Sequence, residues 1–364
     1  MSKWAWSQPA DNGAFSLGLV GDTNVQGRDD PASAFVNVMD TLHDIDVLMG
    51  HLECPLSKPS DDPLSPDISF KDRWRHSDPA MVEGFAAAGF RAMTIASNVA
   101  YPPSVVVETT RHLDRAGIAH AGGGRDIAEA RAPAIIEHDG TRIALLSYTS
   151  VFWPIEQPAT ERSAGVATIK AHTAYQPGRR ALEMPGAAPE IHTWADRDEL
   201  AAMINDVRQA KARADIVIVG CHWGVSSQEA FVAYQREIGH AAIKAGASLV
   251  FGAHPHRISG IEIYKQAPIF YSLGNFAFDW EKMADRNLDG LLVRCLVRGR
   301  GFAGIGFVPV RRDANNDIAI VDPRSPDGRA IVDRIAELSI GLGSRLETRE
   351  AEVLLDLDDK AAAA

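Results

Sequence analysis

No stretch of this 364-residue chain approaches the roughly 18 consecutive apolar residues that a membrane-spanning helix needs. Cysteine is equally sparse. Cys54, Cys221 and Cys295 are far apart and odd in number, so no disulfide framework is implied. They do not cluster with histidine either, which disfavours a structural zinc site built on thiolates. The opening "MSKWAWSQPADNGAFSLGLVGD" has no apolar core of signal-peptide length ahead of Pro9 and Asp11. These absences lead to the expectation of a cytoplasmic, reducing setting without a membrane segment. An excess of positive charge is lacking too: 48 acidic against 37 basic residues leave a net charge of -11. Phosphate backbones repel such a surface, so no nucleic-acid partner is expected. A small anionic substrate is still allowed, because a bound cation inverts the local field.

What the chain does contain is alternation. Short apolar runs bounded by Gly, Asp or Asn include "FSLGLVGD", "DVLMGHLE", "AMTIASN", "RIALLSYTS", "DIVIVGCHWG", "SLVFGAHPH" and "APIFYSLGNF". Each has the length and the Val, Ile, Leu and Phe content of a strand. Helical patterns separate many of them: "DPASAFVNVMDTLHD", "DPAMVEGFAAAG", "SVVVETTRHLDRAG", "RDELAAMINDVRQAKARA" and "EAFVAYQREIGHAAIKAG". Asp before several of these and Gly after them match the usual caps. Repeated strand, helix, strand predicts an α/β fold in layers around a largely parallel sheet.

Two stretches break the rhythm. Residues 153–194 are rich in Pro, Gly and Ala with poor periodicity, and are expected to form a long surface excursion that helps wall a site. From about Gly290 the chain reads as antiparallel β, with "ANND" as a turn and a helix after it. The expected organisation is one main domain over residues 1–300, with a β-rich and helical extension over 301–364 packed on it.

The chemistry sits where the strand-like runs end. They deliver Asp22, His51 with Glu53, Asn98, His222, the pair His254 and His256, and Asn275. In open α/β sheets, ligands bind outside the carboxyl ends of strands. Six runs would thus bring carboxylate, amide and imidazole to one rim. Such donors suit Zn, Mn, Fe or similar ions, one or two of them, and a bridging carboxylate suits a pair. Each residue alone has a plainer reading. The His254–His256 pair could simply be polar residues ending a strand, Asp22 a helix cap, and Glu53 a loop acid. Asn98 could shape a turn, and His222 could be a buried neutral ring.

The series "GDTN", "HLECPLS", "ASNVAYPPSVVVETTRHLDRAGIAHAGGGRDIAEARAP", "HWGV" and "GAHPHRISGIEIYKQAPIFYSLGNFAFD" resembles the poly-γ-glutamate capsule synthesis protein CapA family over roughly Phe15 to Asp279. That family is similar in motif order to the calcineurin-like metallophosphoesterases. The resemblance implies a layered α/β/β/α sandwich. It also implies a metal-dependent hydrolase in which a metal-activated hydroxide attacks a phosphoester or an amide of the γ-glutamyl type. Asp22 would bind the first ion, Glu53 would bridge, Asn98, His222 and His254 would bind the second, and His256 would return to the first. Gly274 and Asn275 would line the pocket. The implied partner is a small-molecule or polyanionic glutamyl or phosphoester substrate. A homo-oligomer is compatible with the sequence, which fixes no assembly state.

Three departures bear on that picture. Where the family usually carries Asn-Asn-His this chain has Ser97, Asn98 and Val99, and valine cannot protonate a leaving group. Asn24 stands where the superfamily's Asp-x-His signature has its histidine. His51 stands where the family has asparagine, two residues before Glu53, so on a strand both share a face and His51 is a candidate ligand or acid. These changes leave room for a non-catalytic accessory protein that binds metal or polyanion. Arg257, directly after the histidine pair, is placed to recognise carboxylate or phosphate. Arg73, Arg75 and His76 are weaker candidates for the same role, and Tyr148, Trp153 and Tyr175 are candidate pocket walls.

Overall fold

The computed structural model describes residues 13–58, 76–283, 285–313 and 315–357. Arg73 and Arg75 lie outside them.

Strand Ala14–Asn24 shows how the sequence is read by the fold. Phe15, Leu17 and Leu19 alternate onto one face, while Val20 joins the opposite core with Ile45 and Leu48. Gly18 leaves room on that second face: a Cβ there would stand 2.9 Å from Ile45 Cδ1. Parallel to this strand run Val47–Leu52, then Phe90–Thr94, then Ala119–Ala121. On its other side Asp289–Arg298 and Gly301–Arg312 continue the sheet antiparallel, and Asn275–Phe278 pairs with its end in parallel. The strands Ile318–Ile320, Arg345–Thr348 and Val353–Asp356 extend the same ten-stranded sheet.

A second, six-stranded sheet has parallel strands Thr141–Thr149, Ile216–His222, Leu249–Ala253 and Ala267–Phe270, with Ala134–His138 and Ile261–Tyr264 antiparallel at its edges. The two sheets face each other across one core. Leu17, Leu19, Val47 and Met49 come from the first sheet, and Ile143, Ile218, Phe251 and Phe270 from the second. Phe251 and Phe270 are fully buried, each stabilising by about 1.5–3 kcal/mol relative to exposure. Helices Val82–Ala87 and Pro103–Arg115 cover the outer face of the first sheet through Phe85, Val106 and Leu113. Helices Arg197–Lys211 and Ala233–Ala245 cover the second through Met203, Val207, Ile238 and Ala242. The result is the α/β/β/α sandwich. No helix among the described residues is long and apolar enough to cross a membrane.

Two local expectations are corrected. The stretch 30–44 is not one helix but a turn of 3-10 helix at Ser33–Phe35 and a short helix Met39–His43. Between them lie Val36, Asn37 and Val38, all weak helix formers. Residues 153–194 are not simply irregular: Ala171–Gln176 and Glu190–Ala195 form a two-stranded sheet. It stands on helix Ala233–Ala245, where Tyr234 N donates to Thr193 Oγ1 (3.2 Å) and Ala195 N to Glu237 Oε2 (2.8 Å). Flanking prolines and glycines hide these two short alternating runs from a window-based reading.

One close approach joins the strands that carry the site. A Cβ on Gly21 would fall 2.0 Å from Gly274 O, the atom that accepts Asp22 N at 3.0 Å. Replacing Gly21 by alanine is therefore expected to destabilise the fold by about 3 kcal/mol, the upper range for overpacking. Denaturant unfolding of Gly21→Ala against wild type measures this, and equal midpoints would refute the contact.

Candidate metal centre

Asp22 ends the apolar part of the first strand, one residue beyond a register shift against Val47–Leu52, and pairs with His51 there. His51 in turn pairs with Thr94. The second sheet ends at the same edge, where His222 is in register with Ala253, and the chain then turns through His254, Pro255 and His256. The turn is strained: His254 and His256 have φ of 90° and 56°, in the left-handed region that non-glycine residues seldom adopt. Such backbone costs about 1–3 kcal/mol per residue and clusters at functional sites. Here both carboxylate oxygens of Asp22 accept the His254 backbone N–H, at 3.1 and 3.0 Å, so one sheet's acid holds the other sheet's turn.

The side chains converge. His51 Nε2 lies 2.9 Å from His222 Nδ1 and 3.9 Å from Asp22 Oδ1. His256 Nδ1 lies 3.5 Å from Asp22 Oδ2, 3.6 Å from Glu53 Oε2 and 3.0 Å from Asn275 Oδ1. Among the described residues, two groups of potential ligand atoms each fall within 4.8 Å of one another: Asp22, His51, His222, and Glu53, His254, His256. All six residues are buried. Burying two carboxylates is costly without compensating positive charge, and carboxylate with imidazole is the donor chemistry of borderline divalent ions. The residues present fit such ions. Burial, reinforced by the charge of His256, pushes His51 down to about 3, so its ring is neutral and able to ligate at ordinary pH.

The structure brings together Asp22, His51, Glu53, His222, His254 and His256, and sets Asn98 beside them, its Oδ1 2.8 Å from His222 Nε2. Asp22 lies within the strand, not at a helix start. Asn24 is turned elsewhere, donating to Glu53 O (3.1 Å) and Gln26 Oε1 (3.1 Å). Arg257 is not aimed at the cluster: its guanidinium is 2.7 Å from Glu229 Oε1. Of the proposed walls, Trp153 Nε1 donates to Asn98 O (3.1 Å). Tyr148 instead donates to Asp206 on the outer helical side (2.9 Å), and Tyr175 is exposed on the hairpin. His76 lies by Tyr101 O (3.3 Å). Two contributors escaped the sequence reading. Buried Gln157 donates to Ser97 O (2.9 Å) and Ala100 O (3.0 Å), fixing the Asn98 loop. Thr94 lies 2.9 Å from His51 Nδ1. Its signal was a lone hydroxyl inside the apolar run "RAMTIA".

A sequence model of the family described as bacterial capsule synthesis protein PGA_cap matches residues 10–280. Similar curated proteins include the uncharacterized protein y4sH of Sinorhizobium fredii, 30% identical over 287 residues, which cover 67% of this chain and 61% of that protein. The capsule biosynthesis protein CapA of Bacillus anthracis is 28% identical over 234 residues, 63% of this chain and 49% of that protein. The chain thus spans between half and three-fifths of the length of these relatives. A solved structure of a phosphatase from Mycoplasma pneumoniae aligns with a TM-score of 0.46 at 11% identity, over 82% of this chain and 94% of that one.

Protonation of His51 gives a stability prediction for the metal-free protein. A histidine in the unfolded chain takes up a proton near pH 6.5, whereas His51 in the fold resists it down to about 3. The unfolded state therefore binds more protons between those values. Stability should be full above about pH 6.5 and fall towards pH 3, by up to about 1.4 kcal/mol per pH unit from this residue. Unfolding of wild type and His51→Gln across that window should show a shallower slope in the variant. Parallel slopes would remove His51 as the source.

Proposed function

Because the chain belongs to the bacterial capsule synthesis protein PGA_cap family, we propose that it is a metal-dependent hydrolase acting on a phosphoester or a γ-glutamyl amide in poly-γ-glutamate metabolism. The observation that supports this reading is the pair of buried three-residue groups facing each other where the two sheets end. Asp22, His51 and His222 would hold one divalent ion, and Glu53, His254 and His256 a second. Bound there, Mn, Zn or Fe supplies Lewis-acid activation of water and of the scissile centre.

The chain's own residues do the rest. Asp22 keeps the histidine turn against the first sheet by accepting the His254 N–H. Asn275 Oδ1 meets His256 Nδ1, while its Nδ2 donates to Asn287 O (3.1 Å), which fixes the orientation of that amide. Asn98, braced by Trp153 and Gln157, holds His222. Arg257 enters only as an anchor of the turn, since Glu229 occupies its guanidinium. Buried Val99 follows Asn98 and offers no proton. The leaving group is thus expelled without an acid from that position, so substrates with acidic leaving groups suit this site best.

Val99 also favours a second reading, a non-catalytic accessory protein that binds metal or polyglutamate. Metal content after purification, and turnover of aryl and alkyl phosphodiesters and a γ-glutamyl anilide with added Mn²⁺, separate the two. We expect chelator-sensitive turnover, with p-nitrophenyl esters cleaved at least about 100-fold faster than alkyl esters, the usual contribution of a missing general acid. Asp22→Asn should lower both metal content and rate, the rate by about 100-fold or more. Retained metal without turnover of any substrate would favour the accessory reading. Protein that binds no transition metal would overturn the metalloenzyme.

A further inference from the structure

Arg312 ends strand Gly301–Arg312 wholly buried, and its side chain donates to amide oxygens rather than to a carboxylate. Nη1 donates to Phe278 O (2.8 Å) and to Asn316 Oδ1. Nη2 shares its hydrogens among Met283 O (3.1 Å), Arg286 O (3.0 Å) and Asn287 O (3.1 Å). Asp279 attracts this guanidinium, but Arg28 grips both of its oxygens, at 2.6 and 2.9 Å. Residues 278–287 are therefore wrapped around one cation. A buried charge is tolerated only where other polar groups replace its water. A planar fork of N–H donors meets carbonyls spread along a loop in a way that a single ammonium does not.

Two of those carbonyls lead to the same imidazole. The Phe278 ring packs against His256, with centroids 4.7 Å apart at 57°. Asn287 O, besides meeting Arg312, accepts Asn275 Nδ2 (3.1 Å), and Asn275 Oδ1 lies 3.0 Å from His256 Nδ1. His256 is thus held from two directions by groups that share one anchor. We propose that Arg312 is a positioning residue of the metal centre, whose guanidinium fixes Phe278 and Asn287 and, through them, the ring of His256. This deepens the reading above and rests on its metal centre. Without the fork, five acceptors lose their donor and must turn towards other partners or water. The Asn275 amide then loses the carbonyl that orients it, and His256 loses its support. The effect is local, because Thr94 and Asn98 brace His51 and His222 instead.

The test uses the full-length chain labelled with 15N at histidine. Arg312→Met removes the fork and keeps the aliphatic bulk. In the metal-free variant the His256 ring signals should shift or split while those of His51 and His222 hold. Mn²⁺ affinity should fall about 10- to 100-fold, the usual cost of losing support behind a ligand. Arg294→Met is the control, because Arg294 is the other buried arginine among the described residues and pairs with Glu352 (3.4 Å). It should lower the unfolding midpoint without moving the His256 ring or the affinity. Arg312→Lys keeps the cation on one nitrogen, so it should recover stability but not affinity, and it decides the question if Arg312→Met does not fold. Unmoved His256 signals with wild-type affinity in the Arg312 variant would overturn the positioning role. Equal losses in Arg294→Met would overturn it too, by reducing the effect to general destabilisation. A wild type that takes up no Mn²⁺ would overturn the metal centre, and the metal-free ring signals would still judge Arg312.

Discussion

Two carboxylates buried among four imidazoles where two sheets meet are the constraint on which the rest of this structure depends. Charge is expensive in a low-dielectric interior, and the expense falls only if each group is held against a compensating partner. The architecture supplies that hold from several directions. Asp22 grips the backbone of the opposite sheet, Asn275 takes the ring of His256, and Thr94 and Asn98 bracket His51 and His222. The large inter-sheet core behind them makes the arrangement rigid, since Phe251, Phe270 and the leucines of the first strand leave the strand ends little freedom to shift.

Position in the fold explains why so much of the rim was legible in the sequence. A parallel strand buried on both faces reads as an apolar run, so the polar residue that ends it stands out. Asp22, Glu53, His222 and His254 were visible for that reason. Thr94 was not, because a single threonine inside an apolar run is also an ordinary strand residue, and its partner lies 43 positions away in the chain. Arg257 illustrates the opposite failure. Its place next to His256 suggested ligand recognition, but direction is set by tertiary packing, and Glu229 from a distant loop claims it. The hairpin at Ala171–Gln176 and Glu190–Ala195 was hidden because its support, helix Ala233–Ala245, follows it in sequence by dozens of residues.

Family membership and the composition of the rim are independent observations on the same strand ends. The family relates the chain to capsule synthesis. The rim gathers the carboxylate and imidazole donors that suit divalent ions. At His51 and Val99 the chain carries a buried imidazole on one side of the rim and a buried apolar side chain on another.

The turn at His254–Pro255–His256 has an evolutionary consequence. Its left-handed backbone would be relieved by asparagine or glycine at either histidine position, both of which adopt that conformation readily. Drift under selection for thermostability alone would therefore tend to erase these histidines. Their persistence in a lineage would mark selection for the imidazoles themselves, and their replacement by asparagine or glycine in a relative with the same sheets would mark a protein released from that selection.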